Sequence, residues 1–239
     1  FLPVDDPRYA TPDGLYEALR RSDALVIAHH PAYPLDVWVP GTDFEQIDTS
    51  VERLAELWSM HGSSEGIDGP VPPLKDLDPE HTVMAALRRG VRVGFTAGSD
   101  THSARPGGSA KEPRGAWGGL VGLWAEDLTR GSLFRALQAR RTVALTRDRI
   151  LLWMTVNDAP MGSEIPGAEQ ASIRVEAWAC GPIEKAEILK NAEVLRTFTP
   201  GDEHWEMEME DATAGPAFYH CRITQAGGQL AVCSPVWVG

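Results

Sequence analysis

The period of the hydrophobic positions changes once along the chain, near residue 149, and this predicts two parts. In the first part, helical spacings alternate with short apolar runs. Thr11 caps a helix with Pro12 at its first position, and Leu15, Ala18 and Leu19 carry it to about Ser22. Ala24 to Ala28 is an unbroken apolar run, the pattern of a strand buried on both faces of a parallel sheet. Ser50 to Ala55 reads as a helical turn leading into a strand from Glu56 to Met60. Pro79 to Arg89 is an amphipathic helix with Val83, Ala86 and Leu87 inward. In Val91 to Gly98 apolar residues alternate with polar ones or glycine, as in a strand, which Gly98 ends. Leu120 to Ala125 is a further strand and Leu128 to Arg140 a further helix.

From Arg149 the period shortens to two. Ile150–Val156, Ala171–Ala179, Ala186–Leu189, Trp205–Met209, Phe218–Thr224 and Gln229–Val232 alternate between turn signals such as Asn157-Asp158 and Gly227-Gly228. Residues 149–239 therefore read as a small β-sandwich, and residues 1–148 as α/β. The link between them is too short for a free tether, so the parts are expected in close contact. The α/β part has only four predicted strands, whereas closing a barrel takes about eight, or one fewer in some families. It is expected to be the C-terminal portion of a barrel whose opening strands lie elsewhere.

Composition narrows the class of partner. A net charge of -12, from 34 acidic and 22 basic residues, argues against a broad nucleic-acid or anionic-membrane surface. No apolar run is long enough to span a membrane. Three cysteines, Cys180, Cys221 and Cys233, form no disulfide framework.

The chemistry gathers at predicted strand ends. Asp100 and His102 stand two apart after Gly98, so in extended chain they project to one side. A carboxylate beside an imidazole at a strand's C-terminal mouth suits a divalent metal. His29 and His30 follow the run 24–28, and His61, Ser63, Ser64 and Glu65 follow the run 56–60. His61 and Glu65 are candidates for a general acid or a further ligand, and Arg105, Lys111 and Arg114 for contacts to an anionic substrate. Glu56 reads as structural, at the start of its strand. The alternating acids of Trp205–Met209 read as a solvated strand face, and the lone His204 and His220 as surface or core residues.

The motifs HHPA (29–32), SMHGSSE (59–65) and AGSDTHSARPG (97–107) resemble those of the PHP (polymerase and histidinol phosphatase) superfamily, in a bacterial subgroup of unassigned function. GGLVGLWAEDLTR (118–130) and the closing residues 220–238 extend the likeness over nearly the whole chain. The resemblance implies a distorted (β/α)7 barrel with two or three divalent ions, zinc, manganese or iron. His30, Asp100 and His102 would be ligands, with His29 a fourth candidate. The His-x-His motif of that superfamily's opening strand occurs nowhere in the sequence. That implies an N-terminal segment or companion chain completing the barrel. The function so implied is a metal-dependent phosphoesterase acting on a small phosphorylated or ester substrate. The alternatives are hydrolysis of a non-phosphate ester or amide bond, and a non-catalytic subunit or binding module. His30, Asp100 and His102 are expected to converge at one end of the parallel strands.

Overall fold

The computed structural model describes residues 6–9, 11–102, 107 and 118–239. Its elements in chain order are α1 (Pro12–Leu19), β1 (Val26–Ala28), β2 (Glu52–Ser59), β3 (Gly62–Ser63), α2 (Val83–Arg88), β4 (Gly94–Ala97), β5 (Leu120–Leu123), α3 (Arg130–Gln138) and β6 (Thr142–Leu145). There follow β7 (Leu151–Val156), β8 (Ala159–Pro160), β9 (Glu164–Ile165), β10 (Gln170–Trp178), β11 (Ile183–Lys190) and β12 (Glu193–Phe198). The last four are β13 (His204–Ala212), β14 (Ala217–Gln225), β15 (Leu230–Cys233) and β16 (Val236–Val238).

These strands make three stacked layers. In the first, β2 is central, with β1 and β4 parallel to it on either edge and β3 folded back antiparallel at its end. The second is an eight-stranded sheet running β12-β11-β14-β15-β6-β5, with β16 and β9 joined to β14. The third is a four-stranded sheet, β13-β10-β7-β8. Alternation along β14 explains the stacking. Tyr219, Cys221 and Ile223 enter the core shared with the third sheet, while Phe218 enters the core shared with the first layer. Leu230, Val232 and Trp237 join Phe218 there, against Leu57, Phe95 and Leu87. The centre of the middle sheet is thus buried on both faces, and β15 and β16 have no exposed residue, while its end strands β12 and β5 reach solvent.

This corrects the expected barrel. β1, β2 and β4 are parallel in the first layer, and elsewhere among the named strands only the two-residue β9 pairs in parallel, with β16. The fourth predicted strand, β5, pairs antiparallel with β6, and β6 pairs antiparallel with β15. Both belong to the middle sheet, so a (β/α)7 arrangement is excluded for residues 118–148, and a division at residue 148 cuts through one sheet. The predicted helical turn at 50–55 is also corrected. Its charged residues masked a strand: Glu52 is buried on β2 and accepts a hydrogen bond from the Tyr16 hydroxyl of α1.

The first layer and the middle sheet meet through hydroxyl groups. Among the described residues β4 pairs only with β2; at its other edge the Phe95 N–H donates to Ser234 Oγ at 2.8 Å. Thr142 Oγ1 donates to the Phe95 carbonyl at 2.6 Å, and the two hydroxyls lie 2.7 Å apart. Because the single Thr142 proton goes to Phe95, Ser234 must donate to Thr142. Gly94 permits the approach: a Cβ there would lie 2.7 Å from Arg140 Cβ and 2.8 Å from Ser234 Oγ. Trp58 Nε1 adds a bond to the Leu145 carbonyl at 3.1 Å. The buried Arg140 donates to the carbonyls of Arg92 and Gly162 and pairs with Glu164 at 2.6 Å.

Two outcomes follow for stability. Thr142→Val strands the buried Phe95 carbonyl and should cost about 1–3 kcal/mol in urea unfolding. The Thr142→Val/Ser234→Ala pair should cost less than the sum of the single changes, since both act on one cycle; strict additivity would refute the cycle. The second concerns His220, whose ring packs edge-on to Phe95 with neither nitrogen hydrogen-bonded. Burial holds its pKa down at about 3. Between that value and the ordinary histidine pKa the unfolded chain binds the extra proton, so stability should rise with pH across that window. The slope from this group reaches about 1.4 kcal/mol per pH unit. Unfolding of His220→Leu measured at several pH values should lack that component, and an unchanged slope would exclude it.

Candidate metal centre

Parallel strands put their C-terminal ends on one side, and the imidazoles gather there. β1 ends at Ala28, paired with Ala55, so His29 and Glu56 fall next to each other one step further on. β2 bulges between Glu56 and Trp58 where it meets β4, just after Glu56 pairs with Thr96, and Leu57 is skipped in the ladder. Bulges of this kind re-aim a side chain next to a site. Glu56 Oε2 lies 2.9 Å from His29 Nδ1 and 3.6 Å from His30 Nδ1, and it accepts the His30 backbone N–H at 3.3 Å.

Asp100, just past β4, is the centre of the cluster. Its Oδ2 is 2.7 Å from His30 Nε2, 3.1 Å from His61 Nε2 and 3.7 Å from His29 Nε2. Its Oδ1 is 3.4 Å from His102 Nε2. Despite these approaches, the buried Oδ2 has no hydrogen bond. Nitrogen and oxygen atoms converge at contact distance in the wrong geometry to share a proton, which is how lone pairs are arranged around a cation. Two of the three groups whose ligand atoms all lie within 4.8 Å of one another meet here: His29, His30 and Asp100, and His61, Asp100 and His102; the third, Glu176, His204 and Glu206, lies on the third sheet. Asp100 belongs to both. The donor set fits a divalent transition metal.

The backbone is bent to reach this arrangement. His30 and Asp100 both have φ of 49°, in the left-handed region. Histidine and aspartate tolerate that region better than most residues, but it remains uncommon outside glycine and is often found at functional sites. The hydrogen bond to Glu56 raises His29 above the ordinary histidine pKa. Burial lowers His30, which leaves its ring neutral with a lone pair to offer. His102 is largely open to solvent, and His61 partly so. One flank of the cluster therefore faces solution.

The sequence-predicted residues divide three ways. His29, His30, His61, Asp100 and His102 come together. Glu65 does not join them: its buried carboxylate pairs with Arg222 of β14 at 3.2 Å, and burial raises its pKa. Arg222 in turn holds Glu187 at 2.9 Å, so Glu65 serves the join between layers and is corrected as a catalytic candidate. Arg105, Lys111 and Arg114 lie outside the described residues. Glu56 is the residue that sequence reading placed wrongly, at the start of its strand. The strand begins at Glu52, which carries Glu56 forward to the mouth. A lone carboxylate within the apolar run LAELW was the available signal, because such a group is buried only with partners.

No family model matches the chain. It is 31% identical over 224 residues to an uncharacterised protein of Chlamydia muridarum, covering 83% of this chain and 36% of that relative. To an uncharacterised protein of Chlamydia pneumoniae it is 32% identical over 223 residues, with the same coverage. The chain thus spans 36% of the length of these relatives. Among solved structures, the sulfur carrier protein SoxY from Chlorobium limicola f thiosulfatophilum aligns with a TM-score of 0.29 and 14% identity, over 37% of this chain and 78% of that one. A fibronectin(III)-like module of Clostridium thermocellum CbhA aligns with a TM-score of 0.27 and 15% identity, over 36% and 93%. The PHP resemblance is corrected accordingly. No family model supports it, and the fold is predominantly β-sheet rather than a barrel. The terms hydrolase and phosphoesterase, as properties of that superfamily, fall with it. No helix among the described residues is long and apolar enough to cross a membrane.

Gly98 tests the role of Glu56. A Cβ at Gly98 would lie 2.7 Å from Glu56 Oε1. Gly98→Ala should therefore leave the fold intact, displace the carboxylate and free His29. Affinity for Zn2+ or Mn2+ by calorimetry should fall about 10- to 100-fold, with recovery in Gly98→Ala/Glu56→Asp. Wild-type affinity in the single variant would remove Glu56 from the site.

Proposed function

We propose that the cluster around Asp100 holds one or two divalent ions and that the protein is a metal-dependent hydrolase. The observation that supports this most is the buried Asp100 Oδ2, approached by three imidazole nitrogens yet hydrogen-bonded to none. Zinc, manganese and iron suit the imidazole and carboxylate donors better than calcium does. When bound, such an ion acidifies a water and polarises the oxygen of a scissile ester or amide.

The chain's own residues have distinct parts in this reading. His30 and Asp100 form the buried side. Glu56 fixes the orientation of His29 through Nδ1, as an outer carboxylate does for a ligating histidine. His61 and His102 line the solvent side, where a substrate would arrive. Nothing in the cluster selects the bond to be cleaved, so phosphate esters, carboxylic esters and amides stand together as substrates. The reading includes a neighbour for β1, supplied by a longer chain or a companion chain. Among the described residues β1 pairs only with β2, and its Ile27 is 41% exposed.

The test loads the purified protein with Zn2+ or Mn2+ after chelation and measures bound metal by mass spectrometry. Turnover is assayed on nitrophenyl phosphate mono- and diesters, a nitrophenyl acetate and an anilide. Stoichiometric metal is expected, with Asp100→Ala losing both groups of ligands and His30→Ala or His102→Ala one each. Activity on any of these substrates should fall more than about a hundredfold in Asp100→Ala. Equal metal content in wild type and Asp100→Ala would overturn the site. Metal without turnover, in the chain alone and with its longer context, would overturn the hydrolase and leave a binding role.

A further inference from the structure

The third sheet turns one face to solvent, and its side chains are arranged in rows across the strands. Register places Leu151, Trp178 and His204 in one row, Trp153, Glu176 and Glu206 in the next, and Thr155, Arg174 and Glu208 in a third. All nine stand at partly or fully exposed positions. Over the second and third rows lies an open groove of about 670 Å³, with the first row at its side.

The middle row is the anomaly. Glu176 and Glu206 are directly opposite each other on neighbouring strands, where like charges destabilise a sheet. The one arginine in the groove lining is already engaged: Arg174 pairs with Asp158 at 3.1 Å and Glu208 at 3.2 Å. His204 approaches Glu176 only to 3.7 Å, and its ring is stacked on Trp178 at 4.7 Å. Among the described residues Glu206 has no ion pair and Glu176 has only the distant histidine, so the two carboxylates face solution with Trp153 in their own row and Trp178 in the next. Trp153 stands beside Glu176 on one strand, and Trp178, 41% exposed, follows two residues after Glu176 on its own.

Carboxylates beside aromatic faces are the surroundings that guanidinium and ammonium groups favour, through ion pairing and cation–π attraction together. From this charge complementarity we infer that the outer face of the third sheet is a docking surface for an extended, arginine- or lysine-bearing peptide segment of a partner protein. One cationic head lies between Glu176 and Glu206, against Trp153 or Trp178. A neutral sugar would use the indoles but leave the paired carboxylates unrelieved. A bare divalent ion would take Glu176, Glu206 and His204, whose ligand atoms lie within 4.8 Å of one another, but would make no use of the indoles. This surface lies on the side of the third sheet facing away from the middle sheet, and it stands independently of the metal centre.

The experiment uses the whole chain and a fluorescein-labelled nonapeptide of alternating arginine and serine, followed by anisotropy at low salt and at about 0.5 M salt. Saturable binding is expected, weakened about tenfold by Glu176→Gln/Glu206→Gln and several-fold by Trp178→Ala. The charge-matched control Glu184→Gln/Glu193→Gln, on exposed positions of β11 and β12, should bind as wild type does. All variants sit at the surface, and matching thermal unfolding verifies their folds. Equal weakening by the control pair would reduce the binding to net charge and overturn the surface. So would salt-independent binding of a cello-oligosaccharide that Trp178→Ala abolishes, or displacement of the peptide by stoichiometric Mn2+ at Glu176 and Glu206.

Discussion

The cycle of three hydrogen bonds among Phe95, Thr142 and Ser234 is the joint on which the arrangement depends. A parallel strand with an open edge leaves buried amides without partners, a cost usually met by adding another strand. Here two hydroxyls from the neighbouring sheet take that place. One hydroxyl comes from β6 and the other from the link between β15 and β16, so neither needs a strand hydrogen-bonded along β4. The first layer can therefore stop at β4 and turn its face onto the middle sheet. Gly94 follows from the same constraint, since a side chain at that point would push the layers apart.

Everything in the candidate metal centre is placed by that layer. Three parallel strands end together, and each contributes from its last turn: His29 and His30 after β1, Glu56 and His61 from β2 and just past its end, and Asp100 and His102 after β4. The cluster combines opposite environments within a few ångströms. Burial disfavours charge on His30, while the Glu56 carboxylate favours it on His29. A cation would bind the first by its lone pair and be held in place by the second through its oriented ring.

Much of this was legible in the sequence, and the failures have physical causes. The six alternating runs after Arg149 coincide with β7, β10, β11, β13, β14 and β15, because turn residues separate them clearly. Asp100 and His102 stood out because Gly98 marks the strand end. Strand direction was not legible. Leu120–Ala125 read like a member of a parallel layer, since a short apolar run does not reveal the direction of its neighbour, and Thr142–Leu145 went unread as a strand. β2 was cut short because Glu52, Arg53 and Glu56 interrupt its apolar pattern, and each of those charges has a partner far away in sequence. β12 and β16 were missed: one is exposed along nearly its whole length, the other wholly buried, so neither alternates.

The middle sheet also sets the order in which the chain can be completed. Residues 51–97 cover their apolar face with Phe218, Leu230, Val232 and Trp237, which are the last to be synthesised in this stretch. A nascent chain that has emitted only the α1 to β6 segment carries Leu57, Phe95 and Leu87 without their covering wall. Contacts spanning so much sequence close slowly, and the exposed surface in the meantime is prone to aggregation. Truncation from the C-terminal side is therefore expected to damage the metal cluster at a distance, by removing the support beneath β2 and β4. The candidate ligands all precede residue 103, yet the scaffold that fixes them is finished more than a hundred residues later.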